Sequence, residues 1–376
     1  MRFFLYGGIL LLSFFWGACT HPPDDPYVGA PSLYVPEYAQ GFQMKEEGAL
    51  RILYVKKSWL SDDQNYFIYV LYPREDSLLY RGKRGYIPYP VQNAVCLSTT
   101  HVAYLEAIGQ SDLITGVSGI RYLSNQQVHN RARDVGYEGG IDYELLLSIR
   151  PDVVFAYGIA GASNAYLKPL AKMGMPVVFM GDYLENHPLG KAEYMVAFSA
   201  FFDAGVMEKT VDAFREICSA YNYLSARIGC ETQVVKVLMN APFNDIWYVP
   251  GSDNYMARLV ADAGGLVLGS RNGVMESRPV SLEQAYIYAL EADFWLNPNT
   301  FRSLESLAGS HSRFVHIPAF EERRVFNNTL RTTYGGGSDF FERGVTEPHI
   351  ILADLIKILH PEVLPEHEWV YYEQLR

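Results

Sequence analysis

The chain reads as an α/β protein of two similar, doubly wound lobes with mainly parallel sheets, joined by one rigid α-helix. Three observations lead there. Residues 206–228 contain no proline or glycine, and Met207, Val211, Phe214, Cys218 and Tyr221 recur at alternating steps of four and three. That spacing puts them on one helical face. The flanks are alike: 141–155 and 280–296 each hold a capping residue (Asp142, Ser281), a glutamate two positions on, a short helix, an aspartate and an apolar strand. Strand and helix patterns also alternate at short spacing on both sides, as parallel sheets covered by helices require.

The start of the chain carries one charge, Arg2, then an apolar run and Gly17-Ala18-Cys19. This is a secretory signal over 1–18, too short to span a bilayer. It resembles a lipoprotein signal, in which Cys19 is lipidated, although Trp16 stands where an aliphatic residue is usual. The protein is therefore expected to be exported and lipid-anchored, facing the periplasm, with the choice between inner and outer membrane open. Residues 19–49, rich in proline to position 36, read as a tether.

Strand patterns at 51–55 and 66–72 define a β extension over 50–90, packed on the first lobe. That lobe spans 91–186, with strands at 94–97, 113–117, 152–156 and 176–180. Its helices fall at 102–108, after Asp142 and at 166–173, and 118–138 is a loop. A helical linker over 187–228 holds a helix at 190–202 and then the joining helix. The second lobe, 229–376, opens with a strand at 234–239 and a polar, aromatic loop at 240–253. A helix at 255–263, the Ser281 helix and a strand near Phe294 follow. Gly335-Gly-Gly-Ser-Asp339 reads as a flexible loop before a last helix whose start carries Thr346 and Pro348.

Among 376 residues, 49% are hydrophobic and the net charge is −11. The length supports two ordinary cores, and the acidity speaks against nucleic acid as a partner. Cys96, Cys218 and Cys230 read as free thiols, since the last two are too far apart along a helix to bond. The nine histidines are scattered without metal-ligand spacing. No GxSxG, HExxH, P-loop or GxGxxG pattern occurs.

Four stretches in order carry a family resemblance: 94–109, Asp142-Tyr-Glu with Arg150-Pro-Asp-Val-Val154, Val280-Ser-Leu-Glu-Gln284, and Ser338-Asp-Phe-Phe-Glu-Arg343. The chain resembles the periplasmic iron-chelate and cobalamin-binding proteins of ABC importers. The resemblance implies a ligand cleft between the lobes and no chemistry. It implies that Glu144 and Glu283 dock onto the permease and that Asp339 and Arg343 line the cleft. Tyr137 and Tyr157, and more loosely Trp247, match aromatic positions against the ligand, and His101 opens the first helix on the cleft side.

The expected function is a membrane-tethered, monomeric receptor for a small-molecule metal chelate, with no cofactor of its own. The sequence leaves siderophore, haem and cobalamin open, while Arg278, Arg331 and Arg343 favour an anionic ligand. Two rivals are a chelatase-like enzyme acting on tetrapyrroles and a haem-collecting surface lipoprotein without a permease. For the anchor, Cys19→Ala should leave folding intact and release the protein from the membrane fraction. A variant that stays membrane-bound after signal cleavage would overturn the lipid anchor.

Overall fold

The computed structural model describes residues 25–56, 66–137, 140–158, 169–170, 172–229 and 233–376. Cys19, Cys230 and half of the helix expected at 166–173 lie outside them. The first sheet joins β1 (Ser32–Tyr34), β2 (Phe42–Glu47), β3 (Leu50–Lys56), β4 (Tyr66–Pro73) and β5 (Tyr86–Tyr89) in sequence order. Glu47 pairs with Leu50 across a two-residue turn, and Gly48 takes φ 61° there, which a tight hairpin needs. The stretch expected as a tether is thus sheet from Ser32 on. Its strand signal is the alternation of buried Phe42 and Met44 with outward Gln43 and Lys45. Phe67 packs 5.2 Å from the Phe179 ring and Arg74 pairs with Asp152 at 2.6 Å, so the sheet sits on the first lobe, while Arg51 donates to the carbonyls of Ala200 and Phe202 beyond it.

The first lobe contains β6 (Ala94–Cys96), α1 (Thr99–Ala107), β7 (Ile114–Val117), α2 (Gln126–Arg131), β8 (Arg133–Asp134), α3 (Tyr143–Ile149), β9 (Val153–Ala156) and β10 (Val177–Phe179). Its sheet is parallel, ordered β10-β9-β6-β7-β8. The chain winds one way from β6 and returns to the other side at β9. Two elements, α2 and β8, occupy the stretch expected as a loop. Their local cue is Asn125, whose side chain accepts the Val128 amide at 2.9 Å and caps α2.

Two helices then cross between the lobes. α4 (Pro188–Ser199) has proline in its first turn, and all twelve of its residues are buried. α5 (Ala204–Ala226) is the joining helix, 23 residues long, or roughly 35 Å. Its buried face is Met207, Thr210, Phe214, Cys218 and Tyr221; Thr210 takes the place expected for Val211, its hydroxyl satisfied by the Val206 carbonyl at 2.7 Å. Cys96 and Cys218 are buried free thiols.

The second lobe contains β11 (Val235–Met239), β12 (Trp247–Val249), α6 (Tyr255–Asp262), β13 (Gly265–Val267), β14 (Arg278–Val280), α7 (Leu282–Ala289), β15 (Phe294–Leu296), α8 (Leu304–Ser310), β16 (Val325–Asn327), α9 (Pro348–Leu359) and β17 (Glu373–Gln374). The sheet order is β13-β11-β15-β16-β17, parallel except for β17. β12 and β14 form a separate antiparallel pair, the former inside the stretch 240–253 expected as loop.

A helix buried on every side must satisfy its polar side chains internally. Glu193 of α4 does so by accepting the Tyr34 hydroxyl at 2.7 Å and the amides of Glu37, Tyr38 and Ala39 at 2.7, 2.8 and 2.6 Å. Just before the helix, Glu185 accepts the amides of Gln40 and Gly41, and burial pushes its carboxyl up to about 7. Glu193→Ala strands one hydroxyl and three amides, each worth about 1–3 kcal/mol if left buried and unpaired. A loss of at least about 3 kcal/mol in urea unfolding is expected; a loss under about 1 kcal/mol would show that residues 34–39 find other partners.

Candidate functional site

In open parallel sheets, ligands bind beyond the carboxyl ends of the strands, where the winding reverses. In the first lobe that point lies between β6 and β9, and Tyr157 follows β9 there. Arg121 and Tyr122 follow β7, and Tyr137 follows β8. The Tyr122 and Tyr137 rings lie 5.3 Å apart, and the Arg121 guanidinium sits 4.5 Å from the Tyr122 ring centre. Gly119, at φ 66°, leaves room for Tyr137, since a Cβ there would lie 2.7 Å from that ring.

In the second lobe the segment after β16 carries the charged half of the site. Asp339 is buried and takes a forked bond from Arg343, Nε to Oδ1 at 3.0 Å and Nη2 to Oδ2 at 2.6 Å. Arg331 reaches the same carboxylate at 3.4 Å and lies over the Tyr371 ring. Hydrogen bonds to the Asp339 carboxylate raise the Arg343 guanidinium well above its ordinary range, so it stays charged. Two arginines share one carboxylate, which leaves a net positive charge. Their side chains are 42% and 39% exposed, against 2% for Asp339. The arginines are thus the groups that can meet a ligand, and Asp339 is their holder.

The two halves meet. Glu342 accepts the amides of Ser124 and Asn125 from the first lobe at 2.8 and 3.0 Å. A Cβ on Gly335 or Gly337 would overlap the carbonyl oxygens of Arg121 and Tyr122. The glycine loop expected to be flexible is a tight turn: Thr333 donates its amide to the Gly337 carbonyl at 2.7 Å, and the Gly337 amide donates to the Thr333 hydroxyl at 2.8 Å.

Of the residues expected to touch a ligand, Tyr137, Tyr157 and Arg343 have accessible surface at the strand ends. Asp339 stands behind Arg343. His101 and Trp247, expected to face a ligand, are buried instead. His101 lies in the first turn of α1 with no exposed surface. Its Nδ1 is 3.2 Å from the Phe155 carbonyl, and its Nε2 is 4.0 Å from Asp182 Oδ1. Burial lowers its pKa below the usual imidazole range. Trp247 is 1% exposed, donates Nε1 to the Met239 carbonyl at 2.7 Å and stacks 5.7 Å from Trp295. It belongs to the core of the second lobe because β12 turns its indole inward. Arg278 is held apart from the other two arginines' carboxylate, donating instead to the Gly269 carbonyl and the Tyr288 hydroxyl.

Sequence reading missed Arg121, Tyr122 and Glu342, for which no local signal stood out, and the asparagines at the second lobe's strand ends. Asn240, Asn297 and Asn299 have φ of 67°, 55° and 50°, a region that asparagine tolerates. Asn299 ties to the Ala241 carbonyl at 3.0 Å, and Asn327 to those of Asn299 and Phe301 at 3.0 and 2.6 Å. Their recurrence after apolar strands was the available signal.

Glu144 and Glu283 are exposed in the first turns of α3 and α7. Asp142 accepts the Leu145 amide at 2.9 Å, and Ser281 the Gln284 amide at 3.2 Å. Hydrogen bonds from the Glu283 backbone amide and Ser281 lower the Glu283 carboxyl below its ordinary value.

Two parallel, doubly wound lobes, one joining helix and a site between facing strand ends define a class of binding protein. The chain belongs to the periplasmic binding protein family, whose model matches residues 94–329. Among solved structures, a possible iron-binding periplasmic solute-binding protein of Staphylococcus epidermidis is similar at TM-score 0.57 and 16% identity, covering 72% of this chain and 99% of that one. The periplasmic vitamin B12 binding protein of Vibrio cholerae matches at TM-score 0.52 and 15% identity, over 74% and 99%. A periplasmic heme-binding protein of Roseiflexus matches at 0.56 and 16%, over 72% and 99%. Two uncharacterised lipoproteins of Methanocaldococcus jannaschii are 24% and 21% identical over 73% and 63% of this chain. The chain spans 66% and 60% of their lengths.

Proposed function

We propose that this chain is a membrane-anchored receptor that captures an iron chelate, siderophore or haem, or cobalamin and delivers it to an ABC import permease. The observation that carries the reading is the pairing at the lobe junction of Arg331 and Arg343, held by one buried carboxylate, with the Tyr122–Tyr137 ring pair. Flat rings suit a conjugated or macrocyclic ligand, and forked guanidinium donors suit carboxylate or catecholate oxygens. The names of the similar structures, an iron binder, a vitamin B12 binder and a heme binder, point the same way, and the lipoprotein relatives support the anchor. Cys19 is the proposed lipidation site.

Titration of the purified protein with haemin, a ferric catecholate, a ferric hydroxamate and cobalamin, followed by tyrosine and tryptophan fluorescence, tests this. One should bind tightly. Arg331→Ala spares the forked Arg343–Asp339 pair and should weaken that binding about ten-fold, the worth of one charge-assisted hydrogen bond at about 1.5–3 kcal/mol. If none of the four binds, the reading fails.

Glu144 and Glu283, one per lobe, are the proposed docking points for permease arginines; such charge pairs set orientation and association rate. Glu144→Lys with Glu283→Lys should abolish stimulation of the transporter ATPase in reconstituted membranes and leave chelate affinity unchanged. Normal stimulation by the double variant would reduce both glutamates to helix-end charges.

A further inference from the structure

The lobes touch in two unlike ways. Around α4, α5, α6 and α9 the contact is a continuous apolar core, and parting it would expose large hydrophobic surface. Along the strand ends Gly335 and Gly337 lie on the backbone of Arg121 and Tyr122, one buried carboxylate crosses between the lobes, and α1 lies against residues 343–345. Glu342 is 1% exposed, and its two acceptor bonds are the ones that cross to Ser124 and Asn125. Glycines supply no interlocking side chains, so this seam is the part of the lobe junction most easily opened.

We propose that Glu342 is the latch of this seam, and that the lobes part here, with its two amide bonds broken, to admit and release the solute. The inference rests on the solute-binding reading and adds to it a site of control. α5 keeps the lobes connected while the seam opens, so the movement is a local parting rather than a large hinge rotation. The latch bears on the ligand site directly, because Glu342 adjoins Arg343 in the chain and the glycine loop lies against the Arg121–Tyr122 backbone.

The groups facing the latch give it a pH dependence. Asp339 on its own segment and Glu106 on α1 are like charges, and the Ser124 and Asn125 amides oppose them. Arg343 is committed to Asp339. Burial, above all, pushes the Glu342 carboxyl up to about 7. In an open seam the carboxyl meets water and returns to the ordinary range. The closed form therefore holds the proton more tightly than the open one. Closure is strongest below the ordinary carboxylate range and weakens as pH rises through about 7.

Hydrogen exchange on the full chain without ligand reads the latch at the amides it binds. In the wild type, protection of the segment 121–131, corrected for intrinsic rates, should fall ~10-fold between pH 6 and pH 8. Glu342→Gln keeps an acceptor but cannot titrate, so this pH dependence should vanish there. Glu342→Ala and, independently, Gly337→Ala should lose protection in 121–131 at both pH values while 95–105 stays protected. The Glu185 carboxyl titrates near the same pH, but it acts on residues 40–41, and exchange there serves as the control. Unchanged protection of 121–131 in folded Glu342→Ala, or an unchanged pH profile in Glu342→Gln, would overturn the latch. No solute enters the measurement, so a failed search for the chelate and a failed latch remain separate results.

Discussion

A helix with no solvent face imposes its polar demands on everything around it, and α4 is such a helix. Burying Glu193 and Lys191 would be prohibitive without partners, so the chain before and after them is arranged to supply those partners. Residues 34–41 wrap the helix to offer amides to Glu193 and Glu185. The Lys191 Nζ lies 3.4 Å from the Asp182 carbonyl and 5.0 Å from the Tyr255 ring centre, and burial lowers its pKa. Its own carbonyl accepts the Tyr104 hydroxyl at 2.7 Å. One helix thus binds the N-terminal sheet, α1 of the first lobe and α6 of the second. The joining helix spans the lobes, but α4 is what both lobes are packed around.

That arrangement explains how the site combines rigidity with a place to yield. The segments that carry Tyr122, Tyr137, Arg331 and Arg343 follow parallel sheets whose central strands are largely buried, so the side chains are positioned by cores on either side. Asp339 fixes two guanidinium groups whose mutual repulsion would otherwise spread them. The strand-end seam of the junction, unlike the apolar contact around α4, has glycines on backbone and one buried carboxylate. Few interactions hold it, and those few are polar, so small changes in charge or in a bound partner act on it strongly.

Much of the architecture was legible in the residues. The periodicity of the joining helix, the twin Asp142 and Ser281 caps with their glutamates, and the apolar runs at β6, β9, β11 and β15 are local signals, and local physics dictates them. The exposed positions of Glu144 and Glu283 follow from the same capping logic. Other elements depended on distant partners. β2 hides behind a proline-rich stretch, and its pairing with β3 is what makes it sheet. The short α2, β8 and β12 have too few residues for periodicity to register; α2 and β12 are held by burial of one side, and the exposed β8 by its pairing with β7.

The character of each candidate site residue divides the same way. The family resemblance assigned His101, Trp247, Asp339 and Arg343 to the cleft; in the structure His101 lies in the first turn of α1, Trp247 within β12, and Asp339 and Arg343 on the segment after β16. Which of them shows a face to solvent was decided by tertiary packing alone. α1 turns His101 onto the Phe155 carbonyl, β12 turns Trp247 onto Trp295, and Asp339 lies beneath its two arginines. The three glycines at 335–337 read as a flexible loop, and Glu342 stood out only as part of the Ser338–Arg343 stretch. Only the first lobe, more than two hundred residues earlier in the chain, makes them a seam, since burial and amide partners are supplied across space and leave no trace in local sequence.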